Sequence, residues 1–291
     1  MSSRANAGPR TRMKVRSKTG RRLFTSDFWN MSSRKKPSNQ SSSGHYIKSN
    51  AGSGPAYTTR NKCCHAPSTR IVAVNELKWL DPFPVTLSLR RKSFSEGTFR
   101  EAYMAKAISG LPKGDYILKK YKEGEIPGIV QLFGSIEAHT GKSVQLNALA
   151  RNFAQSMDAE APALEFGRTF TYHKVFFSSM GNEFVTIETF IDGPFVKLVN
   201  NDGLICSEEA SELSMKAKTF SHYTYKKPNT KLIVLDIQGV GYTLCDPEIA
   251  STTHTDAANN FYFCIGNLST KAIESFFDKY NCSKYCKLLN L

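Results

Sequence analysis

The segment Lys231–Asp236, KLIVLD, does most to narrow what this chain can fold into. Four consecutive apolar residues between two charged ones suit a short strand buried on both faces. The run ends in the carboxylate of Asp236, and Ile237-Gln238-Gly239-Val240-Gly241 follows, with two glycines suited to a tight turn. A second carboxylate, Asp246, comes ten residues after the first, in Asp246-Pro247-Glu248-Ile249. Two such carboxylates could hold a hard cation between oxygen ligands, as Mg²⁺ is held by one or two carboxylates plus substrate phosphates. A hairpin whose aspartates cap its turns reads the same way, and spacing alone leaves both readings open.

Charge divides the rest of the chain. Residues 1–70 hold fifteen Lys/Arg and a single acid, Asp27, while the remainder carries 24 of each sign, so the whole formal charge of +14 lies in the N-terminal part. That part is rich in Ser, Gly and Asn and poor in large apolar groups. It cannot bury enough surface to offset its ordering entropy. Residues 1–75 are therefore expected to be a disordered basic tail, and residues 76–291 a neutral globular body. Arg21-Arg22 and Arg34-Lys35-Lys36 read as localisation or phosphate-contact patches, or simply as solvated charge. Nucleic-acid binding is not expected, since no basic and aromatic residues interleave in a recognisable motif. No run of eighteen apolar residues is present, so no membrane span is expected. Seven cysteines without a secretory signal argue against a disulfide framework and for a cytoplasmic or nuclear location with reduced thiols. Cys63-Cys64-His65 has metal-binding residue types, but three adjacent residues do not readily wrap one tetrahedral ion.

Within the body, Thr98–Ala105, Asp115–Tyr121 and Phe184–Ile191 read as strands. Val144–Met157 reads as a helix with Leu149, Phe153 and Met157 on its core face, and Ser269–Lys279 as a helix burying Ala272, Ile273, Phe276 and Phe277. Early strands mixed with later helices give an α+β class. Gly141-Lys142-Ser143 is not a phosphate-binding P-loop, because Ile136 stands where that motif needs its first glycine. The HRD, DFG and APE signatures of conventional protein kinases are absent.

Several motifs, in order, carry a resemblance. Asp236–Ile249, DIQGVGYTLCDPEI, resembles the signature DIQGVGDLYTDPQI of the alpha-kinase family of atypical protein kinases. Phe220-Ser221-His222-Tyr223-Thr224-Tyr225 is similar to the family's FSHFTYE, with Lys226 in place of the final Glu. Ile187–Gly193 followed by Phe195-Val196-Lys197 looks like its LEHYIEG and FIKY segments. Gly97–Tyr103 is similar to its phosphate-side loop, Ile117–Tyr121 to its VAKRY strand, and Gly266-Asn267-Leu268 and Cys282-x-x-x-Cys286 close the chain as in the family. The resemblance covers roughly residues 85–291.

The resemblance implies a two-lobed kinase fold, with an N-lobe over about 76–185 and a C-lobe over about 186–291. It implies transfer of the γ-phosphate of ATP to Ser or Thr of a protein substrate. By position, Lys119 would pair with the ATP phosphates, near Gly97 and Arg100, and Glu188 would sit by the adenine through backbone contacts. Asp236 would act near the attacking hydroxyl, Lys197 would approach the γ-phosphate, and Gln238 and Asp246 would hold Mg²⁺. On sequence alone, Lys119, Lys197 and Glu188 are also readable as solvent-facing residues. The family's structural zinc uses two His and two Cys. His222, Cys282 and Cys286 match three of these, and Tyr280 stands at the fourth. The family's GNLGxxG loop here reads Gly266-Asn267-Leu268-Ser269-Thr270-Lys271-Ala272, and Ser269 is expected to restrict a loop that needs positive φ. These departures keep a second reading in view, a catalytically impaired relative that binds nucleotide or partners.

Overall fold

The computed structural model describes residues 61–73, 75–206, 211–228 and 230–291. Arg21-Arg22 and Arg34-Lys35-Lys36 lie outside the described residues. The first part is a sheet built from β1 (Lys62–Thr69), β4 (Phe83–Leu89), β6 (Arg100–Ser109), β7 (Asp115–Tyr121), β9 (Val175–Met180) and β10 (Glu183–Thr189), in the order β1-β4-β6-β7-β10-β9. The short β5 (Ser95–Glu96) pairs with β6, and β2 (Val72–Ala73) with β3 (Lys78–Trp79). The two ends of the sheet meet: Arg70 and Phe177 exchange backbone hydrogen bonds of 2.7 and 2.8 Å, and Thr69 Oγ1 lies 2.9 Å from Ser178 Oγ. The sheet thus curls around its own core of Ala66, Val85, Leu87, Ala105, Leu118, Val185 and Ile187.

This corrects the expected tail boundary at residue 75. Cys63–His65 pairs in register with Thr86–Ser88, and Ala66 is fully buried. Alternation explains why composition hides the strand: only every second residue of β1 turns inward, so Cys63 and His65 remain exposed, and Lys62 is exposed at the strand's open end. The same alternation spreads Cys63-Cys64-His65 over two faces. The lobe boundary expected at 185/186 also moves, because β10 runs unbroken through it, paired to β7 on one side and β9 on the other.

The second part surrounds a separate, larger core. A sheet of β11 (Phe195–Val199), β13 (Ile237–Val240), β14 (Thr243–Cys245) and β8 (Thr171–Tyr172) is joined by the pair β12 (Leu232–Leu235) and β15 (Glu248–Ser251). All four residues of β12 are buried, as an apolar run between charges requires. Helix α4 (Glu212–Lys226) packs on β12, where Thr224 Oγ1 accepts a 2.9 Å hydrogen bond from the Val234 amide. Lys216 of α4 is fully buried. Its ammonium donates to the Arg168 carbonyl at 2.8 Å and pairs with Glu212 at 2.7 Å, within 5.2 Å of the rings of Phe166, Tyr242 and Tyr285. It pins α3 (Ala163–Phe166) and α6 (Lys284–Leu288) to α4 through cation–π contacts.

Helix α1 (Ile126–Phe133) leads into α2 (Ile136–Glu160), which is longer than the sequence pattern predicts and starts at an N-cap, Ser135 Oγ, accepting from the Ala138 amide. Leu149, Phe153 and Met157 all face the core as expected. Gly141-Lys142-Ser143 lies inside α2, which agrees with its exclusion as a phosphate loop. Helix α5 (Ser269–Asp278) buries Ala272, Ile273 and Phe276. No helix of the described residues is long and apolar enough to cross a membrane.

The sheet closure gives a direct test. A chain beginning at residue 71 lacks β1, whereas one beginning at residue 60 retains it. The shorter chain is expected to melt about 10 °C or more below the longer, since 1 kcal/mol moves Tm by about 2–4 °C at this size. Equal melting temperatures in calorimetry would show that β1 is not part of the cooperative unit.

Candidate active site

Strand alternation delivers the first half of the site. In β7, Leu118 points into the barrel core, so Lys119 points to the opposite face, toward the second sheet. In β10, Val185 and Ile187 fill the same core, which turns Thr186 and Glu188 toward Lys119. Lys119 pairs with the Glu188 carboxylate of its own sheet and with the Asp246 carboxylate from the second sheet. Burial opposes the ammonium charge, but the two carboxylates outweigh it and hold the Lys119 pKa above the ordinary lysine range. Burial raises the Glu188 pKa against the pull of Lys119. Asp246 is half exposed; its partial burial is outweighed by Lys119, and its pKa is lowered. Glu188, expected to serve the adenine through its backbone, thus directs its side chain to Lys119.

The turns around β13 deliver the second half. Lys197 on β11 and Cys245 on β14 both pair with Gln238 on β13, so the three lie side by side across the sheet. Asp236 sits between β12 and β13 at φ 55°, and Asp246 follows β14 at φ 47°. Both are non-glycine residues in the left-handed region, which costs about 1–3 kcal/mol each and is common where side chains are aimed for function. Lys197 Nζ is 2.7 Å from Asp236 Oδ1, and Gln238 Nε2 donates to Asp236 Oδ2 at 2.8 Å. Burial pushes the Asp236 pKa up to about 6, with Lys197 opposing. Gln238 is 2% exposed, and its Oε1 has no hydrogen-bond partner among the described residues.

Arg100 ties the first half to α2 from behind. Its guanidinium donates to Thr186 Oγ1 of β10 at 3.2 Å and to Ser143 Oγ of α2 at 2.6 Å, over the ring of Tyr121. Tyr121 is in turn 2.8 Å from His139 Nδ1. Burial, then Arg100 and Lys142, push the His139 pKa down to about 3, so this imidazole is neutral. Gly97 lies in the β5–β6 turn, where its amide donates to the Arg100 carbonyl at 2.8 Å. Sequence reasoning missed Ser143, His139 and Tyr121 as supports of Arg100. Their only signal was polar residues at positions where α2 and β7 pack.

Glu248 was read only as part of its motif. Burial, then the nearby Asp236 carboxylate, push its pKa up to about 8. It packs so tightly on Gly266 that a Cβ there would lie 2.4 Å from its carboxyl carbon. Asn267 pins the following loop: its Oδ1 accepts from the amides of Ser251 and Ser269 at 3.0 Å each. Ser269 has φ 64°, so the position does take the positive φ that serine resists.

His222 on α4, Cys282 after α5 and Cys286 on α6 place one ligand atom each within 4.8 Å of one another. The hydroxyl of Tyr280 lies among them, 3.0 Å from His222 Nδ1 and 2.6 Å from Cys286 Sγ.

Comparison with known proteins agrees with this architecture. Residues 95–286 match the alpha-kinase family, and the chain belongs to it. The family's members are protein kinases. Over 222 residues the chain is 32% identical to alpha-protein kinase vwkA of Dictyostelium discoideum, covering 73% of this chain and 32% of that protein. Over 230 residues it is 25% identical to human eukaryotic elongation factor 2 kinase, covering 74% of this chain and 28% of that protein. The chain therefore spans a third or less of the length of these relatives. The crystal structure of the alpha-kinase domain of myosin heavy chain kinase A in complex with AMP superposes with a TM-score of 0.63 at 21% identity, covering 79% of this chain and 99% of that domain. That likeness carries the fold.

Two predictions follow from the site's geometry. Gly239 has φ 155°, and a Cβ there would lie 2.1 Å from the Thr243 carbonyl oxygen. Gly239→Ala should force β13 and β14 apart and cost about 2–4 kcal/mol in denaturant unfolding; a loss below about 0.5 kcal/mol would show that the hairpin yields freely. The second concerns pH. Glu248 has a folded pKa of about 8 against 4.5 for a free carboxyl, so the folded state binds more protons across that window. Its contribution to stability must therefore fall as pH rises through it. Without nucleotide or divalent ions, Glu248→Gln should flatten the decline in Tm between pH 5 and pH 8; an unchanged slope would remove Glu248 as its source.

Proposed function

We propose that the chain transfers the γ-phosphate of ATP to Ser or Thr hydroxyls of a protein substrate. The observation that carries this reading is the facing arrangement of Lys119 and Glu188 on one sheet and Lys197, Asp236, Gln238 and Asp246 on the other. Phosphoryl transfer asks an enzyme chiefly for positioning and charge neutralisation, and this cluster supplies both from rigid strands. Lys119 binds the ATP phosphates as a compact point charge, and Lys197 neutralises charge on the transferred group. Asp236 accepts the proton of the attacking hydroxyl as its oxygen bonds to the γ-phosphorus and the bond to the bridging oxygen of ADP breaks. Arg100 braces β10 against α2 behind Lys119. The buried, unpartnered Oε1 of Gln238, whose amide nitrogen lies 3.4 Å from the Asp246 backbone carbonyl, fits Mg²⁺, a hard cation with oxygen ligands, which would supply further neutralisation at the phosphates. Free thiols throughout suit a cytoplasmic or nuclear setting.

The second reading, a nucleotide- or partner-binding relative without transfer, draws on Ser269 in the left-handed region of a loop that carries glycine in the family's pattern. Transfer of label from ATP to a general acceptor protein separates the two. The parent should label it. Lys119→Ala should not, with its circular dichroism unchanged, and Asp236→Asn should be slower by about 10²–10⁴-fold. Because Asp236 must be ionised to accept a proton, the parent's rate should fall as pH drops through about 6. ATP binding without labelling by the parent would favour the second reading.

A further inference from the structure

We propose that Ser93 is a phosphorylation site whose phosphate monoester is held by Lys62, Arg90, Arg91 and Lys120 at the open end of the curled sheet. Side-chain alternation builds that end. Ala66 of β1, Ala105 of β6 and Leu118 of β7 fill the core, so Lys62, Tyr103 and Lys120 continue the same inward rows where those rows run out into solvent. With Leu89, Arg90 and Arg91 they line a cavity of 290 Å³.

Positive charge is in excess there. Lys62, Arg90 and Arg91 make no ion pair among the described residues. Lys120 is paired with Glu183 of β10, whose side chain is 58% exposed. Glu101 accepts a hydrogen bond from the Tyr103 hydroxyl at 2.5 Å. Four cations against these two carboxylates leave a cavity that attracts an anion. The planar forks of the two guanidinium groups match the oxygens of a phosphate, and each lysine adds a point charge.

The loop that carries Ser93 is set against this cavity. The Arg90 amide donates to the Met104 carbonyl and the Phe94 amide to the Ala102 carbonyl, at 2.9 Å each. Residues 91–93 therefore bulge opposite Tyr103 alone, the residue of β6 that lines the cavity. Ser93 is exposed, and its hydroxyl makes no hydrogen bond among the described residues. Arg90-Arg91-Lys92 directly precede it. That charge pattern suits a kinase whose acidic groove reads basic residues ahead of the acceptor. In the transfer, Ser93 Oγ bonds to the γ-phosphorus of ATP, the bond from that phosphorus to the bridging oxygen of ADP breaks, and the hydroxyl proton passes to the modifying kinase's base. The product has about −2 charge and three acceptor oxygens beside an arginine pair, an arrangement that orders a loop. It ties the segment leading into β5 and the Gly97 turn to β1 and β7. Lys119 and Lys120 point to opposite faces of β7, so this site is separate from the Lys119 cluster and does not rest on the function proposed for it.

The full chain is incubated with ATP and a kinase that prefers basic substrates, beside a free peptide of residues 88–98, and the modified residues are mapped by mass spectrometry. Ser93 should be modified in both. Phosphoserine is then incorporated at position 93 during synthesis of the chain and of the peptide, and both are titrated by phosphorus NMR. Surrounding cations favour the dianion, so the second phosphate pKa in the folded chain should lie at least about half a unit below that of the peptide. The peptide keeps Arg90, Arg91 and Lys92 and lacks the cavity. Lys62→Gln combined with Lys120→Gln should bring the chain's value back toward the peptide's. A phosphate that titrates alike in chain and peptide would overturn the inference, as would a Ser93 modified in the peptide and untouched in the chain. A lowered pKa that the double variant leaves unchanged would also overturn it, by removing the cavity as the cause. Should that variant not fold, the comparison of chain with peptide decides.

Discussion

The placement of one ammonium organises this molecule. Lys119 leaves the barrel on the face opposite Leu118 and ends between Glu188 of its own sheet and Asp246 of the other. The charge is costly to bury, and only the paired carboxylates make the position tenable. Removing both partners would leave an uncompensated charge between two cores. The lobes are therefore tied at the place where a phosphate chain would replace protein carboxylates as the partners of Lys119. Arg100, reaching Thr186 and Ser143 at once, supports the same junction through neutral hydroxyls.

Around that junction the backbone carries strain in a few residues. Asp236, Asp246 and Ser269 all adopt positive φ without being glycine. The aspartates can be held so because β12 and β15 pair in full register beneath them and all four residues of β12 are buried. Ser269 is held by Asn267, whose side chain also ties the loop back to Ser251. The elements that bear strain are thus braced by the most buried strand in the fold, and Gly239 and Gly266 remove side chains where backbone and carboxylate come closest.

The motifs around Asp236 were legible because their chemistry is local. A buried run, a carboxylate and a glycine turn lie within a dozen residues, and in the structure Lys119 pairs with Asp246 while Lys197 and Gln238 both reach Asp236. What the sequence hid is long-range or alternating. β1 looks like tail because half of its residues face solvent. Ser143 belonged to a dismissed glycine motif, and only the packing of α2 against β6 and β10 gives it a task. The Glu188 side chain read as solvent-facing on sequence alone because its partner, Lys119, is 69 positions away. Tyr280 read as a lost ligand, whereas its hydroxyl lies within the ligand cluster.

The central claim is that the Lys119 cluster is where ATP phosphates bind. The most direct measurement treats the native chain with an acyl-phosphate derivative of ATP, which acylates lysines beside the bound phosphate chain, and maps the modified residues by mass spectrometry. The account predicts modification at Lys119, with Lys197 the next most labelled, and suppression of both by excess ATP. Label confined to other lysines, or label at Lys119 that excess ATP does not reduce, would contradict it.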